Sequence, residues 1–166
     1  MKKIILLLIL LSLSLSSCEK DDICDATTAT TPKLILEFYD TLHPTVLKNV
    51  TNLAVREINS SEILLFTEKS KIEIPLKTNF NITKFSFILN STAITIDNED
   101  FLEFNYTREN IFVSRACGFK TIFTLNAITP IIKTEPTIPD GSWVQNTTVE
   151  TSNITSENEI HVKIYF

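Results

Sequence analysis

Three cysteines are the residues of this sequence most able to do covalent chemistry: Cys18, Cys24 and Cys117. The first of them follows a pair of lysines and an apolar run of twelve residues, 4–15. This run is too short to span a bilayer, because a spanning helix needs about 20 apolar residues. A charged start, a short apolar centre and small residues before a break are typical of a secretory signal peptide. Residues 1–17 are therefore predicted to be such a leader.

The tetrapeptide at the break, Leu15-Ser16-Ser17-Cys18, resembles the lipobox of bacterial lipoproteins. The resemblance implies that the chain is cut just before Cys18 and that this residue carries lipid on its sulfur and on its nitrogen. Each buried methylene contributes about 0.8 kcal/mol and one acyl chain holds a protein only marginally, so the three chains that the resemblance implies make attachment effectively permanent. An ordinary signal peptide with an incidental cysteine is the alternative.

An acidic tether, "EKDD" (19–22), follows Cys18 directly. Charged residues at this density favour a solvated segment that no core would accept, and the lipidated acidic tether is predicted to cover residues 18–32. The stretch also resembles the short acidic sequence that sends lipoproteins of Bacteroidetes-type bacteria to the outer face of the outer membrane. The cell surface is therefore favoured over the periplasmic face. The alternative is an acidic tether that contains no sorting signal.

The two remaining cysteines form an even pair once Cys18 carries lipid. In an oxidising compartment we expect a Cys24–Cys117 disulfide. This bond would close a loop of 93 residues, for which the chain-entropy relation gives about 4–5 kcal/mol. Two free buried thiols are the alternative. A catalytic thiol is disfavoured, because no residue near either cysteine in the sequence is a suitable base.

Charge and length bound the class of protein. The formal net charge of the 166-residue chain is −5, and it becomes −7 when the two leader lysines are removed. A chain this acidic, without a basic cluster, is a poor candidate for binding nucleic acid or for electrostatic docking on anionic lipid. The part that follows the leader is long enough for one domain with a real core and hardly for two. Residues 33–166 are predicted to form a single domain.

Enzymatic chemistry is not indicated by the other polar residues. The two histidines, His43 in a turn and His161 at the start of the last strand, have no catalytic-looking neighbours. The nucleophile-elbow, zinc and phosphate-loop motifs are absent from the sequence. The densest carboxylate cluster, "DNEDFLE" (97–103), lacks the calcium-loop spacing and is predicted to be a solvated hairpin loop. We predict neither an enzyme nor a metal or other cofactor.

One covalent modification site is a candidate. Asp40-Thr41-Leu42 resembles the Asp-Ser/Thr-apolar acceptor used for O-glycosylation in exported proteins of Bacteroidetes-type bacteria. The tripeptide lies in a predicted turn, where an acceptor would be accessible. Thr41 is therefore a candidate O-glycosylation site.

The elements that must position these residues are strands. From Lys33 onward apolar and polar residues alternate, and Val, Ile, Thr and Phe dominate the alternating runs. Many short strands divided by turns predict an all-β fold, an immunoglobulin-like or Greek-key β-sandwich of about 8–10 strands. The predicted core consists of residues that share one face of four strands: Leu34, Leu36, Phe38, Ile72, Ile74, Leu76, Phe85, Phe87, Leu89, Leu102, Phe104 and Tyr106.

The connections between strands are also predicted. Residues 108–110 (Arg-Glu-Asn) are predicted to be a hairpin turn, and the proline-rich stretch 128–143 to be a long crossover. Gly118 is one of two glycines, which predicts a positive φ angle or a bulge there. Strict alternation puts Arg115 on the face of Cys117, whereas a bulge would turn it outward, and the sequence leaves both placements open.

Several stretches together resemble a protein family. "CDATT" and "SRACG", which contain Cys24 and Cys117, and "LKNVTNL" look like a family of small uncharacterised lipoproteins from Bacteroidetes, over most of the chain up to about Leu125. Members of this family have no assigned activity. The resemblance therefore implies an envelope location and no mechanism.

We therefore expect a non-enzymatic, lipid-anchored lipoprotein of the outer membrane or cell surface. It would act as a structural or interaction module of the envelope, and its membrane contact would be the acyl chains on Cys18. The alternative is a lipoprotein that captures a glycan or peptide for an uptake system. Trp143 would serve that alternative if it were exposed, but it is predicted to be a core residue, because large aromatic side chains usually fill sandwich cores.

Overall fold

Eleven β-strands and no helix are found in the computed structural model, which describes residues 23–91, 98–138 and 141–166. The strand count is just above the predicted range. Nowhere in these ranges is there a helix with the length and apolar character needed to cross a membrane. The strands are β1 (Leu34–Tyr39), β2 (Leu53–Glu57), β3 (Leu64–Phe66), β4 (Lys71–Ile74), β5 (Ile82–Leu89), β6 (Asn98–Ser114), β7 (Gly118–Leu125), β8 (Ile131–Thr134), β9 (Asn146–Val149), β10 (Asn153–Ile154) and β11 (Val162–Tyr165).

The strands form two sheets packed face to face. The smaller sheet has the order β4-β1-β11-β9, and the larger has the order β10-β7-β6-β5-β2-β3 with β8 paired to β6. The first and last strands are parallel neighbours, with Leu36 opposite Val162. The other strand pairs in the described ranges are antiparallel. The predicted all-β sandwich is confirmed.

The core lies between the two sheets, on the faces that the alternation predicts. Eleven of the twelve predicted core residues are buried, and Leu89 is half-buried and packs against the same cluster. Aromatic rings fill much of this space, for example Phe85 and Phe104, whose centroids are 6.1 Å apart in an edge-to-face arrangement. Such pairs stabilise a core beyond their buried area. Period-two alternation therefore identified the faces that meet.

The prediction of a hairpin turn at residues 108–110 is wrong. These residues lie inside β6, which runs unbroken from Asn98 to Ser114 and pairs with β7, Arg108 being opposite Phe123. The side chain of Arg108 donates a hydrogen bond from Nε to Asn81 Oδ1 at 2.7 Å. Polar residues are tolerated at this point because the strand is exposed there, while its pairing with β7 keeps it extended.

The crossover predicted at 128–143 does connect the larger sheet to the smaller one, but part of it is a strand. Four of its residues form β8, which pairs with β6 so that Phe104 is opposite Ile131. Residues 92–96 ("TAITI"), whose Thr and Ile residues also predict a strand, lie outside the described residues. The prolines flank β8, as expected, because proline cannot donate a hydrogen bond to a neighbouring strand.

The turn between β6 and β7 has the geometry that its glycine predicts. Gly118 has a φ of 70°, so the positive φ angle is confirmed. The register of β6 against β7 shifts between Phe112 and Ser114. This irregularity turns Arg115 outward, and its side chain is exposed, which settles the placement that the sequence leaves open.

Candidate functional site

The predicted disulfide is present. Cys24 and Cys117 are bonded, with their Cα atoms 4.9 Å apart across 93 residues of sequence. Cys117 lies in the turn between β6 and β7, and its N–H donates to Ser114 Oγ at 3.0 Å. The bond thus joins the beginning of the described chain to the end of the longest hairpin of the fold.

The segment that the disulfide holds, here called the N-terminal segment (23–33), follows the outer edge of β7. The backbone N–H of Thr121 donates to Thr31 Oγ1 at 2.9 Å, and the N–H of Lys33 donates to Glu157 Oε1 at 2.9 Å. Most of the segment is exposed to solvent. The described part of the predicted tether, residues 23–32, is therefore mostly exposed but is held to the sandwich at its two ends.

A local turn shapes the start of this segment. The carboxylate of Asp25 accepts hydrogen bonds from the N–H and the hydroxyl of Thr27, at 2.8 and 2.7 Å. These bonds hold the pKa of Asp25 below its ordinary value. An Asx turn of this type fixes the chain direction close to the disulfide.

The far end of the β6–β7 hairpin, residues 112–119, is here called the hairpin tip, and it exposes two aromatic rings. Phe112 and Phe119 face each other across the hairpin, with ring centroids 5.4 Å apart in an edge-to-face arrangement. Their side chains remain 58% and 69% exposed. Beside them is an open cavity of about 590 Å³, lined in part by Ile23, Arg115 and Cys117. Two neighbouring exposed rings make the hairpin tip a candidate contact surface.

The structure describes one of the two candidate modification sites. Cys18 is outside the described residues. Thr41 is exposed in the turn after β1, whose geometry is set by Asp40: its carboxylate accepts the N–H groups of His43 and Leu42 at 2.9 and 2.8 Å. The bond from His43 is the main cause that lowers the pKa of Asp40. The predicted turn is confirmed, and modification of Thr41 stays a prediction.

The prediction that residues 97–103 form a solvated loop is wrong for the described residues 98–103, which belong to β6. Asp100 is fully buried. Its Oδ2 accepts the backbone N–H groups of Trp143 and Val144 at 2.9 and 2.8 Å, and its Oδ1 accepts the hydroxyl of Ser142 at 2.8 Å. Alternation explains the burial, because Asp100 shares a face with Leu102 and Phe104 of the core.

Lys133 and Ser142 lie beside Asp100, and among the described residues this group most resembles a catalytic cluster. Lys133 Nζ donates to Ser142 Oγ at 2.7 Å and to the carbonyl of Val144 at 2.6 Å. The Ser142 hydroxyl donates in turn to Asp100 Oδ1 at 2.8 Å, and the other carboxylate oxygen accepts the two backbone N–H groups, so every member of the cluster is bonded to another member or to the crossover backbone. The cluster fastens the crossover to β6. In the described ranges no group of three or more His, Cys, Asp and Glu residues could hold a metal ion.

His161 is buried and has a structural partner on each side of its ring. Its Nδ1 accepts the N–H of Ile35 at 2.9 Å, and the ring also bonds to the backbone of Ser156. Burial lowers the pKa of His161 below its ordinary value of 6.5, although the negative charge of Glu159 opposes the shift. The ring is therefore neutral in the folded chain near pH 7, as its acceptor role requires.

This burial predicts a pH-dependent stability. The free energy of unfolding should be independent of His161 above pH 7 and should fall as pH drops below about 6.5, because the unfolded chain then takes up a proton that the folded chain refuses. The slope from this residue is at most about 1.4 kcal/mol per pH unit. Urea unfolding at several pH values checks this. His161→Asn keeps an acceptor for Ile35 and should remove the extra slope, whereas replacement of the exposed His43 by Asn should leave it.

Trp143 is buried, as predicted, and cannot serve as a binding platform. Its indole N–H donates to the carbonyl of Phe87 at 3.2 Å, and its ring meets Phe166 edge to face at 5.4 Å. The tryptophan therefore seals the core beside the Asp100 cluster.

A second surface feature, here called the edge groove, lies between the end strands of the two sheets, β3 and β4. Its volume is about 450 Å³. Lys33 in its wall is paired with Glu73 at 3.2 Å. The groove combines an apolar floor with basic walls, formed mainly by Leu64, Phe66, Ile72, Lys33, Lys69 and Lys71.

Residues 50–166 match the model of a family of unknown function, DUF6452. The match begins just before β2 and extends to the last residue, whereas the resemblance seen in the sequence ends near Leu125. The expectation of a family without assigned activity is confirmed. No curated protein and no solved structure matches the chain.

Proposed function

We propose, from the premise that this chain belongs to DUF6452, a family of unknown function, that it is a non-enzymatic, lipid-anchored module of the outer membrane or cell surface. The observation that carries the proposal is the disulfide: it takes two of the three cysteines and leaves Cys18, at the end of the leader, as the one thiol available for an acyl group. An oxidised pair also fits an exported protein.

The polar groups inside the sandwich support a non-enzymatic role. Asp100 binds backbone N–H groups of the crossover, and His161 binds the backbone of β1. Each of these side chains is engaged in hydrogen bonds to the backbone, and proton transfer would require those bonds to break. The protein would act through its surface, as a structural or interaction module that the acyl chains hold at the membrane.

Substitution of Cys18 tests the anchor. Cys18→Ser should abolish acylation, so that mass spectrometry finds no lipid on the N-terminal peptide and the protein moves from the membrane fraction to the soluble fraction. Ser17→Ala keeps a small residue before the cut and should leave both results as in the unchanged chain. An unchanged chain that is soluble and carries a bare Cys18 would refute the proposal.

Protease shaving of intact cells tests the surface location separately. A surface lipoprotein should lose its exposed β3–β4 region to trypsin, which has Lys69 and Lys71 as targets. Protection in intact cells, with cleavage only after the outer membrane is opened, would place the protein on the periplasmic face instead.

The edge groove supports a second candidate function, capture of an acidic peptide segment. Charge complementarity carries this candidate, since the chain is acidic as a whole while the groove is lined by Lys69 and Lys71 in addition to the Lys33–Glu73 pair. The edge of β4 that does not pair with β1 also offers backbone groups to an extended chain.

Nuclear magnetic resonance titration tests this candidate. A glutamate-rich peptide should shift the amide signals of Lys69 and Lys71, whereas a lysine-rich peptide of equal length should not. The double variant Lys69→Gln, Lys71→Gln should lose the response at low salt. Equal responses to both peptides would refute a charge-selective groove.

A further inference from the structure

The hairpin tip combines features that suit the border of a membrane. Phe112 and Phe119 form an exposed aromatic pair, and Arg115 is exposed in the turn between them. Ile23 beside this turn is also largely exposed. Aromatic rings flanked by a long basic side chain are typical of segments that contact lipid, because the rings leave water while the charge stays near the headgroups.

The disulfide fixes how far this tip can be from the proposed lipid anchor. Cys24 and Cys117 have Cα atoms 4.9 Å apart, so Cys117 lies where the N-terminal segment begins. Cys18 is six residues before Cys24, and even a fully extended chain of that length spans only about 20 Å. The headgroup region itself is several ångströms deep. The tip is therefore held within reach of the bilayer that holds the acyl chains.

We propose that the hairpin tip rests on the membrane to which Cys18 is attached, with Phe112 and Phe119 in contact with lipid. This inference rests on the proposed lipid anchor. The disulfide then has a positional role besides its effect on stability, since it sets which end of the sandwich faces the bilayer. The acyl chains provide the attachment, and the aromatic pair fixes the orientation.

The rest of the sandwich would point away from the bilayer. Through the registers of β3, β2, β5 and β6, Leu65 lies level with Glu99. Glu99 and Phe112 belong to one strand, so they are roughly 40 Å apart at about 3.3 Å per residue. Leu65 is 72% exposed, which matches Phe119 at 69%. The chain thus offers two apolar positions of similar exposure, one at the proposed lipid contact and one far from it.

Lipid-depth quenching of tryptophan tests the inference. Phe119→Trp and Leu65→Trp are made separately in the acylated full chain, which is reconstituted into phosphatidylcholine vesicles with or without bromine on the acyl chains. The buried Trp143 supplies a background that is measured in the unsubstituted chain. We expect the emission at position 119 to be shifted to the blue in both kinds of vesicle and to be quenched by the brominated lipid, and we expect neither effect at position 65.

The outcomes separate this inference from the proposed function. Mass spectrometry first establishes whether Cys18 is acylated, and a bare cysteine overturns both proposals. An acylated, vesicle-bound chain with no quenching at position 119 overturns only the orientation. Equal quenching at both positions also overturns it. If the tip instead joins two copies of the chain, position 119 is buried from lipid in a vesicle-bound dimer, and the inference is likewise refuted.

Discussion

Asp100→Ala is expected to lower the free energy of unfolding by roughly 3–5 kcal/mol. The carboxylate is fully buried and accepts the N–H groups of Trp143 and Val144, so alanine leaves two buried donors without an acceptor. Each such donor costs about 1–3 kcal/mol. The change also leaves Lys133 and Ser142 without the negative charge beside them. Urea unfolding of the Cys18→Ser chain, followed by the fluorescence of Trp143, measures the loss.

Two companion variants show whether the hydrogen bonds are the cause. Asp100→Asn keeps an oxygen for the two N–H groups and turns its amide toward Ser142, so we expect a loss of only about 1–2 kcal/mol. Glu109→Ala removes an exposed carboxylate from the same strand and should change stability by less than about 0.5 kcal/mol. If Asp100→Ala cost no more than Glu109→Ala, the buried carboxylate would have no role in holding the crossover.

The sandwich and its core could be predicted because one rule governs both. A strand with one buried face must alternate, so Leu34, Leu36 and Phe38 identify the inner face of β1 without any knowledge of its neighbours. The same alternation contains Asp100, in step with Leu102 and Phe104. Composition argued for a loop at this point, but position in the pattern was the better guide, because a buried carboxylate is acceptable when donors surround it.

The length of β6 could not be predicted from local residues. Arg108, Glu109 and Asn110 have the composition of a turn, and only pairing with β7 makes them a strand. β8 was missed for a similar reason: it is short and mostly exposed, and it forms because β6 offers an unpaired edge. Both errors reflect contacts between segments that are distant in the sequence.

The disulfide of the candidate site could be predicted from the sequence, but the exposed aromatic surface of the hairpin tip could not. Counting cysteines paired Cys24 with Cys117, because lipid on Cys18 leaves an even number. Phe112 lies in step with the core positions of β6, yet it is exposed. Whether such a residue is covered depends on how far the opposite sheet extends, and the sequence of β6 holds no information about that extent.

Removal of the disulfide, by Cys24→Ser together with Cys117→Ser, is the other change with a large expected effect. The bond closes a loop of 93 residues, and the chain entropy that it removes from the unfolded state is worth about 4–5 kcal/mol. The N-terminal segment is mostly exposed and is held otherwise by few contacts, such as that of Thr31 with Thr121. It should fray when the bond is lost and recover part of that entropy, so we expect a loss of roughly 2–4 kcal/mol.

Hydrogen exchange separates the local part of this effect from the global part. In the Cys18→Ser background, which prevents thiol exchange, the amide of Thr121 should lose protection beyond the global loss, because its acceptor on Thr31 moves away when the segment frays. The amide of Phe38, which donates to Ser70 O at 2.8 Å in the smaller sheet, should lose only the global amount. Reduction of the unchanged disulfide should reproduce both results. Equal loss of protection at the two amides would mean that the disulfide acts only on the unfolded chain. No loss at either amide would mean that the disulfide does not stabilise the fold. In both cases the N-terminal segment would keep its place on β7 without the disulfide.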